Sequence, residues 1–362
     1  MKLDSDYLNK TNFDKYKRII VAYSGGVDSL VLLHILSLIP KVKEKLFAVH
    51  VNHQVSPNST LWAKHCEKTC KSMGVNFNLL ELELNTNRKL SENDLRKFRY
   101  RALLNWVQKK DALFTGHHLN DHVETIFFRI LRGTGIKGLT GIEEFSQVEG
   151  VDLIRPLVNF SKEDILDYAD LNKLKWIEDE SNEDISFSRN FIRKIIFPSL
   201  QNKDLPSYLN SFSYLSKKAK EANEILEEVA YADLKLCSTE SSDKLLILKI
   251  RELSKARAKN LLFRWLSVRT NLSISSALTE QVYKNVVLAK ESKDPVISFG
   301  KHDKRGSFQI RKFNGELYHL PLIDNEILNY NKVWKWNPQS PLELPTGTLS
   351  MTLKKGLGLS SE

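Results

Sequence analysis

Compact apolar runs alternate with helix-like amphipathic stretches along the first half of the chain. The runs Arg18–Tyr23, Leu46–Val51 and Ala112–Gly116 predict buried strands, and the alternating Phe77–Leu84 predicts a strand nearer an edge. Strands that alternate with helices predict a parallel, doubly wound α/β sheet, whose ligands bind beyond the carboxyl ends of the strands. The predicted helices that follow these strands are Leu30–Leu38, Asn58–Met73, Ser91–Lys109 and His118–Leu131.

The regular pattern loosens after Asp152, and a smaller mixed α+β unit follows Pro206. Ser161 begins another predicted helix, and the basic, aromatic stretch Phe187–Ile196 is expected to end at Pro198. The smaller unit is predicted to contain the helices Leu209–Leu236, Ala256–Ser267 and Ser276–Ala289, the strands Val296–Gly300, Phe308–Phe313 and Glu316–Leu320, and a type I′ turn at Asn314-Gly315.

Length, charge and cysteine content narrow the class of protein. A chain of 362 residues exceeds the usual size of one domain, and we expect domains over residues 1–205 and 206–325 with a tail over 326–362. The net charge of +10, from 54 Lys and Arg against 44 Asp and Glu, favours a polyanionic partner over a merely basic enzyme. Three cysteines provide no disulfide framework and fit a reducing cytosol. The N-terminus lacks a signal-peptide pattern, and no apolar run approaches the roughly 18 residues of a membrane span, so we expect a cytoplasmic protein with no membrane contact.

The string SGGVDS at Ser24–Ser29 lies between an apolar strand and a helix. Gly25 and Gly26 allow positive φ and close approach of the backbone, so their amides and those of the helix N-terminus form an anion-binding nest. Two serine hydroxyls add hydrogen-bond donors. The carboxylate of Asp28 would repel a bound phosphate unless a cation such as Mg²⁺ bridges the two groups. The string contains no lysine of the Walker type. A plain strand-to-helix turn is the alternative. The predicted phosphate-binding residues are Ser24, Gly25, Gly26, Val27, Asp28 and Ser29.

Charged residues follow the fourth strand and recur near residue 190. Asp121 and Glu124 are three apart, so both face one side of a helix start, and with His118 they fit metal ligands, a general-base pair or a solvated cap. Arg189 and Arg193 are four apart on one helical face and fit either phosphate contacts or a solvated stripe. The residues alone leave these alternatives open.

Taken in order, these segments resemble a known family. The SGGVDS loop looks like the PP-loop of the N-type ATP pyrophosphatases. The ordered set SGGVDS, HVNH, SENDLRKFRY, HHLNDHVET, LRGTG, IRPL, WIEDESN and SRNFIR resembles the tRNA(Ile)-lysidine synthases. Farther on, SKARAKNLLFRWL and IRKFNGELYHL are similar to the substrate-binding domain of that family, so the resemblance covers most of the chain.

The resemblance implies a two-step ligation that uses ATP and Mg²⁺. ATP would adenylate the C2 oxygen of the wobble cytidine in a minor isoleucine tRNA with a CAU anticodon, and free lysine would then displace AMP to give lysidine. The modified anticodon would read AUA rather than AUG. The expected partners are therefore tRNA(Ile) and lysine, and the oligomeric state stays open, with a homodimer as one alternative.

The resemblance also assigns roles to individual residues. Asp121 and Glu124 would recognise the cationic lysine and orient its amine, and Arg96 would contact ATP or the adenylated base. Asp28 would anchor Mg²⁺ between the loop and pyrophosphate. The predicted catalytic residues are Asp28, Arg96, Asp121 and Glu124, and the predicted lysine- or tRNA-binding residues are His118, Arg132, Arg189, Asn190 and Arg193.

The chain departs from the family pattern at several positions. Asn120 and His122 take two places of a motif in which the family carries two acids and a glutamine. Leu95 and Lys97 replace an alanine and a glutamate beside the predicted arginine. Longer members carry a further C-terminal domain, which we expect to be absent after Glu362. These departures weaken the transfer of roles at those positions more than they weaken the family resemblance.

Three other functions fit parts of the sequence. A tRNA-thiolating pyrophosphatase usually needs reactive cysteines, often in CxxC pairs, whereas Cys66 and Cys70 have a wider spacing. An amide-forming synthetase for a small molecule would explain the loop but not the basic C-terminal half. A non-catalytic RNA-binding protein with an ATP-type loop is disfavoured by the intact Asp28 and Ser29.

Overall fold

A computed structural model of the chain contains two compact units, residues 1–223 and 224–362, with the division inside a long helix. The predicted division at residues 205/206 remains a prediction. Among the described helices, none combines the length and apolar composition needed to cross a membrane. The described residues are 3–52, 58–82, 92–178, 188–201, 207–238, 244–270, 274–290, 295–299, 307–321, 336–337, 340–344 and 347–351.

The first unit is built on a six-stranded sheet. Its strands are β1 (Ile19–Ala22), β2 (Leu46–Asn52), β3 (Asn76–Glu81), β4 (Ala112–Phe114), β5 (Phe145–Val148) and β6 (Val151–Ile154). In the order β3-β2-β1-β4-β6-β5, every neighbouring pair is parallel except β5 with β6. The predicted α/β sheet is confirmed, and β3 lies at an edge. The sequence pattern does not predict the antiparallel hairpin of β5 and β6, because its turn places positive φ on Glu149 as well as on Gly150.

Helices connect these strands, and most of them agree with the helices predicted from the sequence. They are α1 (Ser5–Leu8), α2 (Val27–Ser37), α3 (Pro40–Lys43), α4 (Ser59–Met73), α5 (Glu92–Trp106), α6 (Leu119–Leu131), α7 (Ile136–Leu139) and α8 (Lys162–Leu171). α2 begins at Val27 rather than at Leu30, so Asp28 and Ser29 belong to its first turn. α4 ends at Gly74, whose φ of +67° is the predicted left-handed stop.

Successive residues of β1 point to opposite faces of the sheet and contribute to two cores. Ile19 and Val21 pack in a cluster that includes Leu30 of α2. Ile20 packs in a second cluster that includes Leu103 of α5 and the nearby Val107. Helices therefore cover both faces, which is the arrangement that a parallel sheet needs to bury its apolar strands.

A further helical segment runs from Ser188 to Gln201 without a break at Pro198. It consists of α9 (Ser188–Phe191), a π-helical turn (Ile192–Ile196) and α10 (Phe197–Gln201). The expectation that Pro198 ends the helix is wrong. The π-helical turn already changes the hydrogen-bond ladder before the proline, which lies at the start of the next helical piece, where its missing amide hydrogen costs little.

The long helix α11 (Tyr208–Cys237) confirms the prediction for Leu209–Leu236 and contains the division between the units. The second unit continues with α12 (Ile247–Glu252), α13 (Lys255–Arg269), α14 (Ser276–Val282) and a π-helical turn (Tyr283–Val287). Asn314 and Gly315 have φ of 47° and 74°, as the predicted type I′ turn requires. An antiparallel sheet of order β7-β10-β9-β8 and a separate pair complete this unit: β7 (Lys244–Leu246), β8 (Val296–Phe299), β9 (Phe308–Phe313), β10 (Glu316–Pro321), β11 (Leu342–Leu344) and β12 (Gly347–Leu349).

Candidate active site

The strand order places a topological switch point between β1 and β4. β1 continues through α2 to β2 on one side, whereas β4 pairs with β1 on the other side. At such a point the loops that follow the two strands diverge and leave a crevice for a ligand. The loops are Ser24–Gly26 after β1 and Thr115–His118 after β4. Most of the site residues predicted from the sequence lie in these loops or in the helix turns that follow them.

Gly25 is the loop residue that requires glycine. It adopts φ of +90°, whereas Gly26 is extended at φ −75° and ψ 161°, so the predicted freedom of two glycines is used at Gly25 alone. A β-carbon on Gly25 would lie 2.9 Å from Ile177 Cδ1 and 3.0 Å from Cys66 Sγ. Ile177 N donates to Gly25 O at 3.0 Å, which joins the start of the WIEDESN segment to the loop.

The two serine hydroxyls of the loop bond to its own backbone. Ser29 Oγ donates to Gly26 O at 3.0 Å and accepts from Ser24 N at 3.2 Å. Since the Ser29 hydrogen is used on Gly26, Ser24 Oγ donates to Ser29 Oγ at 3.1 Å and accepts from Gly26 N at 3.3 Å. The Val27 side chain is buried in the core, so this residue can serve an anion site only through its backbone amide.

Asp28, in the first turn of α2, is paired with a lysine from a distant part of the sequence. Lys162 Nζ donates to Asp28 Oδ1 at 2.5 Å. Lys162 is the first residue of α8, and its own amide donates to Asn120 Oδ1 at 2.9 Å. Leu119 N also donates to Phe160 O at 2.8 Å, so two hydrogen bonds fasten the start of α8 to the start of α6.

The loop after β4 packs directly on the first turn of α2. A β-carbon on Gly116 would lie 2.8 Å from the Asp28 carbonyl carbon and 2.9 Å from Ser29 N, so only glycine permits this approach. His118 is buried, and its Nε2 lies 3.7 Å from Asp28 Oδ1 and 3.5 Å from Asp121 Oδ2. His118 therefore lies between the phosphate loop and the carboxylates of α6.

His117 holds Arg96 beside the same loop. Arg96 Nη2 lies 3.5 Å from His117 Nε2, and His117 Nδ1 lies 2.8 Å from Thr115 Oγ1. Burial, with a smaller effect from the charge of Arg96, lowers the pKa of His117 to about 4. The ring is therefore neutral at physiological pH, and the contacts fit one tautomer, in which Nε2 accepts from Arg96 and Nδ1–H donates to Thr115.

Asp121 and Glu124 face one side of α6, as their spacing predicts, and Arg193 contacts both carboxylates. Arg193 Nε donates to Glu124 Oε1 at 2.6 Å, and its Nη2 donates to Glu124 Oε2 at 2.9 Å and to Asp121 Oδ1 at 3.3 Å. Asp121 Oδ2 also accepts from His118 N at 3.1 Å and so caps the helix. The cap and the charged cluster, which the sequence leaves as alternatives, occur together.

The two carboxylates differ in exposure and in the direction of their pKa shifts. The side chain of Glu124 is 4% exposed and that of Asp121 is 23% exposed. Burial raises the pKa of Glu124, and the hydrogen bonds from Arg193 offset this only in part. Burial would also raise the pKa of Asp121, but electrostatic interactions with the rings of His118 and His117 and with the Arg193 guanidinium outweigh it and hold that pKa below its ordinary value. Asp121 is therefore the ionised and more accessible member of the pair.

The remaining predicted site residues are Arg132, Asn190 and Arg189, of which Arg132 lies away from this cluster. Arg132 follows the last residue of α6, at the opposite end of the helix from Asp121, and its guanidinium carbon lies 4.0 Å from the centroid of the Phe128 ring. Asn190 is half-buried in α9. Arg189 also belongs to α9, but its side chain lies outside the described part of the structure.

Asp28 fits a magnesium ion that arrives with ATP better than a resident ion. Mg²⁺ usually binds one or two carboxylates together with substrate phosphates and water. Across the residues that the structure describes, no group of three or more His, Cys, Asp or Glu side chains is arranged to hold a metal. One carboxylate beside an anion-binding loop matches the donor set of a phosphate-bound Mg²⁺.

Lys162, Asn120 and His117 belong to the site, although the sequence does not assign them to it. Lys162 is separated from Asp28 by 134 residues, and its sequence context signals only a helix start. Asn120 departs from the family pattern, and its side-chain oxygen accepts the hydrogen bond from Lys162 N. For His117 the available signal was its place beside His118 at the end of a strand, where ligand-binding residues of α/β sheets lie.

Comparison with known proteins finds matches in both units. A model of the PP-loop domain family matches residues 2–200, and a model of the TilS substrate binding domain matches residues 245–318. The chain is 33% identical to tRNA(Ile)-lysidine synthase from Legionella pneumophila (strain Paris), over 91% of this chain and 74% of the relative. It is 31% identical to the proteins of the same name from Buchnera aphidicola subsp. Baizongia pistaciae (94% of this chain, 75% of the relative) and from Escherichia coli O157:H7 (94% and 77%). The match extends over nearly the whole chain and includes the loop at the switch point, and the chain therefore belongs to the tRNA(Ile)-lysidine synthase family.

Proposed function

We propose that this chain uses ATP to ligate lysine to C2 of the wobble cytidine of tRNA(Ile) with the anticodon CAU. The products are lysidine-containing tRNA, AMP and pyrophosphate. The observation that carries the proposal is the place of His118, whose Nε2 is 3.7 Å from Asp28 Oδ1 and 3.5 Å from Asp121 Oδ2. An ATP bound by the loop and a lysine bound by α6 would then meet in one site.

The reaction consists of two transfers, the first to the C2 oxygen of the base and the second to C2 itself. In the first, the C2 oxygen attacks the α-phosphorus of ATP, and the bond to the bridging oxygen of the β-phosphate breaks to release pyrophosphate. In the second, an amine of lysine that has lost a proton attacks C2, and the C2–O bond breaks to release AMP. Adenylation is needed because a carbonyl oxygen is a poor leaving group, whereas the phosphate oxygen of AMP is a good one.

The loop and the first turn of α2 are suited to hold the pyrophosphate. First-turn amides of a helix have no partner within the helix, and the loop that leads into α2 contains Gly25 at positive φ. These donors stabilise negative charge as it develops on the leaving group. Mg²⁺ bound with ATP would neutralise part of that charge, and Asp28 is the residue that would hold it.

The two carboxylates of α6 are assigned different tasks. Asp121 is ionised and more exposed, so it is the group that receives the ammonium of lysine. Glu124 is buried and bonded twice to Arg193, so it positions that guanidinium beside Asp121. Arg193 belongs to the π-helical turn Ile192–Ile196, an irregularity that often occurs at functional sites. Lysine binding then requires the contact between Arg193 and Asp121 at 3.3 Å to yield to the substrate.

Arg96 is assigned to ATP or to the adenylated base. Its guanidinium is half-buried, lies over the Tyr100 ring at 5.2 Å and is held by the neutral His117. A neutral partner leaves the full positive charge of Arg96 available for a phosphate. Because His117 and His118 are neighbours in the loop after β4, Arg96 lies beside the loop that leads into α6.

A group of lysines in the second unit is suited to the tRNA backbone. Lys255, Lys259 and Lys284 all contact Glu280, at 3.5, 2.7 and 3.3 Å. Three positive charges around one carboxylate leave a local excess of two. Hydrogen bonds from Lys259 and Lys284, with a smaller effect from the charge of Lys255, lower the pKa of Glu280 to about 2, so the carboxylate stays ionised. Exposed lysines of this kind attract phosphates and position a nucleic acid without reading its sequence.

The state of the cysteines supports ligation over sulfur transfer. Cys66, Cys70 and Cys237 are free and buried. Burial raises the pKa of Cys66 and that of Cys70 to about 12, whereas a sulfur-transferring thiolate needs a lowered pKa and access to solvent. The thiolating alternative therefore has no suitable nucleophile among the three cysteines of the chain.

The test is incorporation of labelled lysine. Purified protein is incubated with radiolabelled lysine, ATP, Mg²⁺ and tRNA(Ile) with a CAU anticodon, with methionine tRNA as the matched control acceptor. We expect label in the isoleucine tRNA that depends on ATP, with one AMP released for each lysine incorporated. Release of AMP without lysine in the tRNA, or incorporation that needs no ATP, would contradict the proposal. Sulfur incorporation in place of lysine would identify the thiolating alternative.

A further inference from the structure

The contact between Lys162 and Asp28 places a cation on the phosphate loop that the loop itself does not contain. The string Ser24–Ser29 has two serines and one aspartate but no lysine. Lys162 Nζ reaches Asp28 Oδ1 at 2.5 Å from the first residue of α8. Both side chains are about one-third exposed, at 34% and 32%, so the pair is partly open to solvent and does not lie in the core.

Asp28 creates an electrostatic conflict in a loop that binds phosphates. A carboxylate a few ångströms from phosphate oxygens repels them, and the repulsion is stronger in a partly desolvated crevice than in water. In the nucleotide-free protein the ammonium of Lys162 neutralises this carboxylate. Once a nucleotide brings its own negative charges, the same ammonium has a second and more highly charged set of acceptors beside it.

Hydrogen bonds fix the backbone of Lys162, whereas its side chain is held only through the ammonium at Asp28. Lys162 N donates to Asn120 Oδ1, and the neighbouring Ser161 and Asp164 cap α8 through mutual hydrogen bonds. The Cα of Lys162 therefore stays at the rim of the crevice. A lysine side chain has four methylenes and an ammonium that rotates among acceptors, so it can exchange partners without any movement of the helix.

We propose that Lys162 is the phosphate-binding cation of this loop. In the free protein it neutralises Asp28; when ATP binds, its ammonium transfers to the β,γ-phosphates and releases Asp28. This inference rests on the proposed use of the loop for ATP. It assigns to α8 the task that a lysine inside the loop performs in phosphate loops of the Walker type.

The test is calorimetric binding of inorganic pyrophosphate, ATP and AMP in buffer that contains EDTA and no Mg²⁺. The variant Lys162→Met removes the ammonium and keeps the apolar stem. We expect the Kd for pyrophosphate and for ATP to rise roughly 10-fold to 100-fold, as the loss of a charge-assisted hydrogen bond predicts. The Kd for AMP, which lacks the β,γ-phosphates, should stay within about 2-fold. Lys162→Arg should retain most of the wild-type affinity, and Lys109→Met, at an exposed lysine, is the matched control.

A second background separates direct phosphate contact from simple neutralisation of Asp28. In Asp28→Asn the repulsion is absent, and Lys162 has no carboxylate to hold, so pyrophosphate should bind more tightly than to the wild type. Adding Lys162→Met to Asp28→Asn should again weaken pyrophosphate binding by roughly 10-fold or more. If Lys162 acts only by shielding Asp28, its replacement will have no effect in the Asp28→Asn background, and the inference is wrong.

The experiment distinguishes failure of this inference from misfolding of a variant and from failure of the proposed function. A partly exposed ion pair contributes modestly to stability, so each variant should unfold within a few degrees of the wild-type temperature. Equal weakening of AMP and pyrophosphate would overturn the inference, because it would indicate a general disturbance of the loop. Binding is measured without tRNA or lysine, so the pattern can hold even if lysine incorporation fails, and it can fail even if incorporation succeeds.

Discussion

Arg193 donates to both side-chain oxygens of Glu124, through Nε at 2.6 Å and Nη2 at 2.9 Å. Burial raises the pKa of Glu124 in the folded state. As pH rises through that pKa the buried carboxyl group ionises, and the free energy of unfolding decreases. Arg193→Met should raise that pKa further. We expect the loss in free energy of unfolding to be small near pH 4, where Glu124 is protonated, and to grow to roughly 1–3 kcal/mol by pH 8.

Urea unfolding across this pH range measures the effect. The control is Glu124→Gln, which cannot ionise. Adding Arg193→Met to it should produce a loss that does not change between pH 4 and pH 8. A loss in Arg193→Met alone that is equally large at both ends of the range would mean that the pair contributes packing rather than charge.

Asp121 is the residue whose replacement should affect lysine most directly. Asp121→Asn keeps the size of the side chain and an acceptor for His118 N but removes the charge. We expect the KM for lysine to rise roughly 10-fold to 100-fold while the KM for ATP changes little, because a charge-assisted hydrogen bond to the ammonium is lost. Steady-state incorporation of labelled lysine measures both constants. An unchanged lysine requirement would remove Asp121 from the lysine site.

The pH dependence of stability should report the neutral state of His117. Its folded-state pKa is about 4 against an ordinary 6.5, so the unfolded chain binds a proton in the interval where the folded chain does not. The stability that depends on the uncharged ring is therefore complete above pH 6.5 and is lost as pH falls toward 4. The variant His117→Gln can still accept a hydrogen bond from Arg96 but cannot take up a proton. Its free energy of unfolding should therefore decrease less on acidification than that of the wild type, by on the order of 2–3 kcal/mol. Urea unfolding between pH 4 and pH 7.5 tests this, with His65→Gln as control, and an unchanged slope would refute it.

The fold could be predicted where burial alone determines it. β1 is apolar throughout because helices cover both faces of the sheet, and such a run identifies a strand without knowledge of its neighbours. The hairpin of β5 and β6 could not be found in this way, since its turn uses Glu149, a residue type that rarely adopts positive φ. Three-residue β7 is too short for any periodicity to be recognised.

In the site, relationships between residues close in sequence could be predicted, whereas those between distant residues could not. That Asp121 and Glu124 share a face follows from helical spacing and was predictable. The bonds from Lys162 to Asp28 and from Arg193 to Glu124 join residues 134 and 69 positions apart. No local pattern encodes such partners, because the packing of α8 and of the π-helical turn determines them.

The two loop glycines should differ in their tolerance of a side chain. Gly25→Ala places a β-carbon at φ +90°, within 3.0 Å of Ile177 and Cys66, and should lower the free energy of unfolding by roughly 1–3 kcal/mol. Gly26→Ala meets only Ser24 Oγ, at an ordinary 3.5 Å, and should change stability by less than about 0.5 kcal/mol. Urea unfolding of both variants tests the contrast, and similar stabilities would mean that the loop relaxes around the new methyl group.

The lysines around Glu280 should set part of the salt dependence of tRNA binding. Lys259 lies 2.7 Å from Glu280, and replacing it with Ala removes one of three positive charges. If each lysine displaces about one counterion, the slope of log K against log salt should fall in magnitude by roughly 0.7–0.9. Glu280→Gln should act in the opposite direction and tighten binding, because it removes the one negative charge of the group.

Filter binding from about 50 to 200 mM salt measures the slopes. Lys249→Ala removes the same charge from an exposed pair with Glu252 and is the control. Equal slopes for Lys259→Ala and Lys249→Ala would place the tRNA elsewhere.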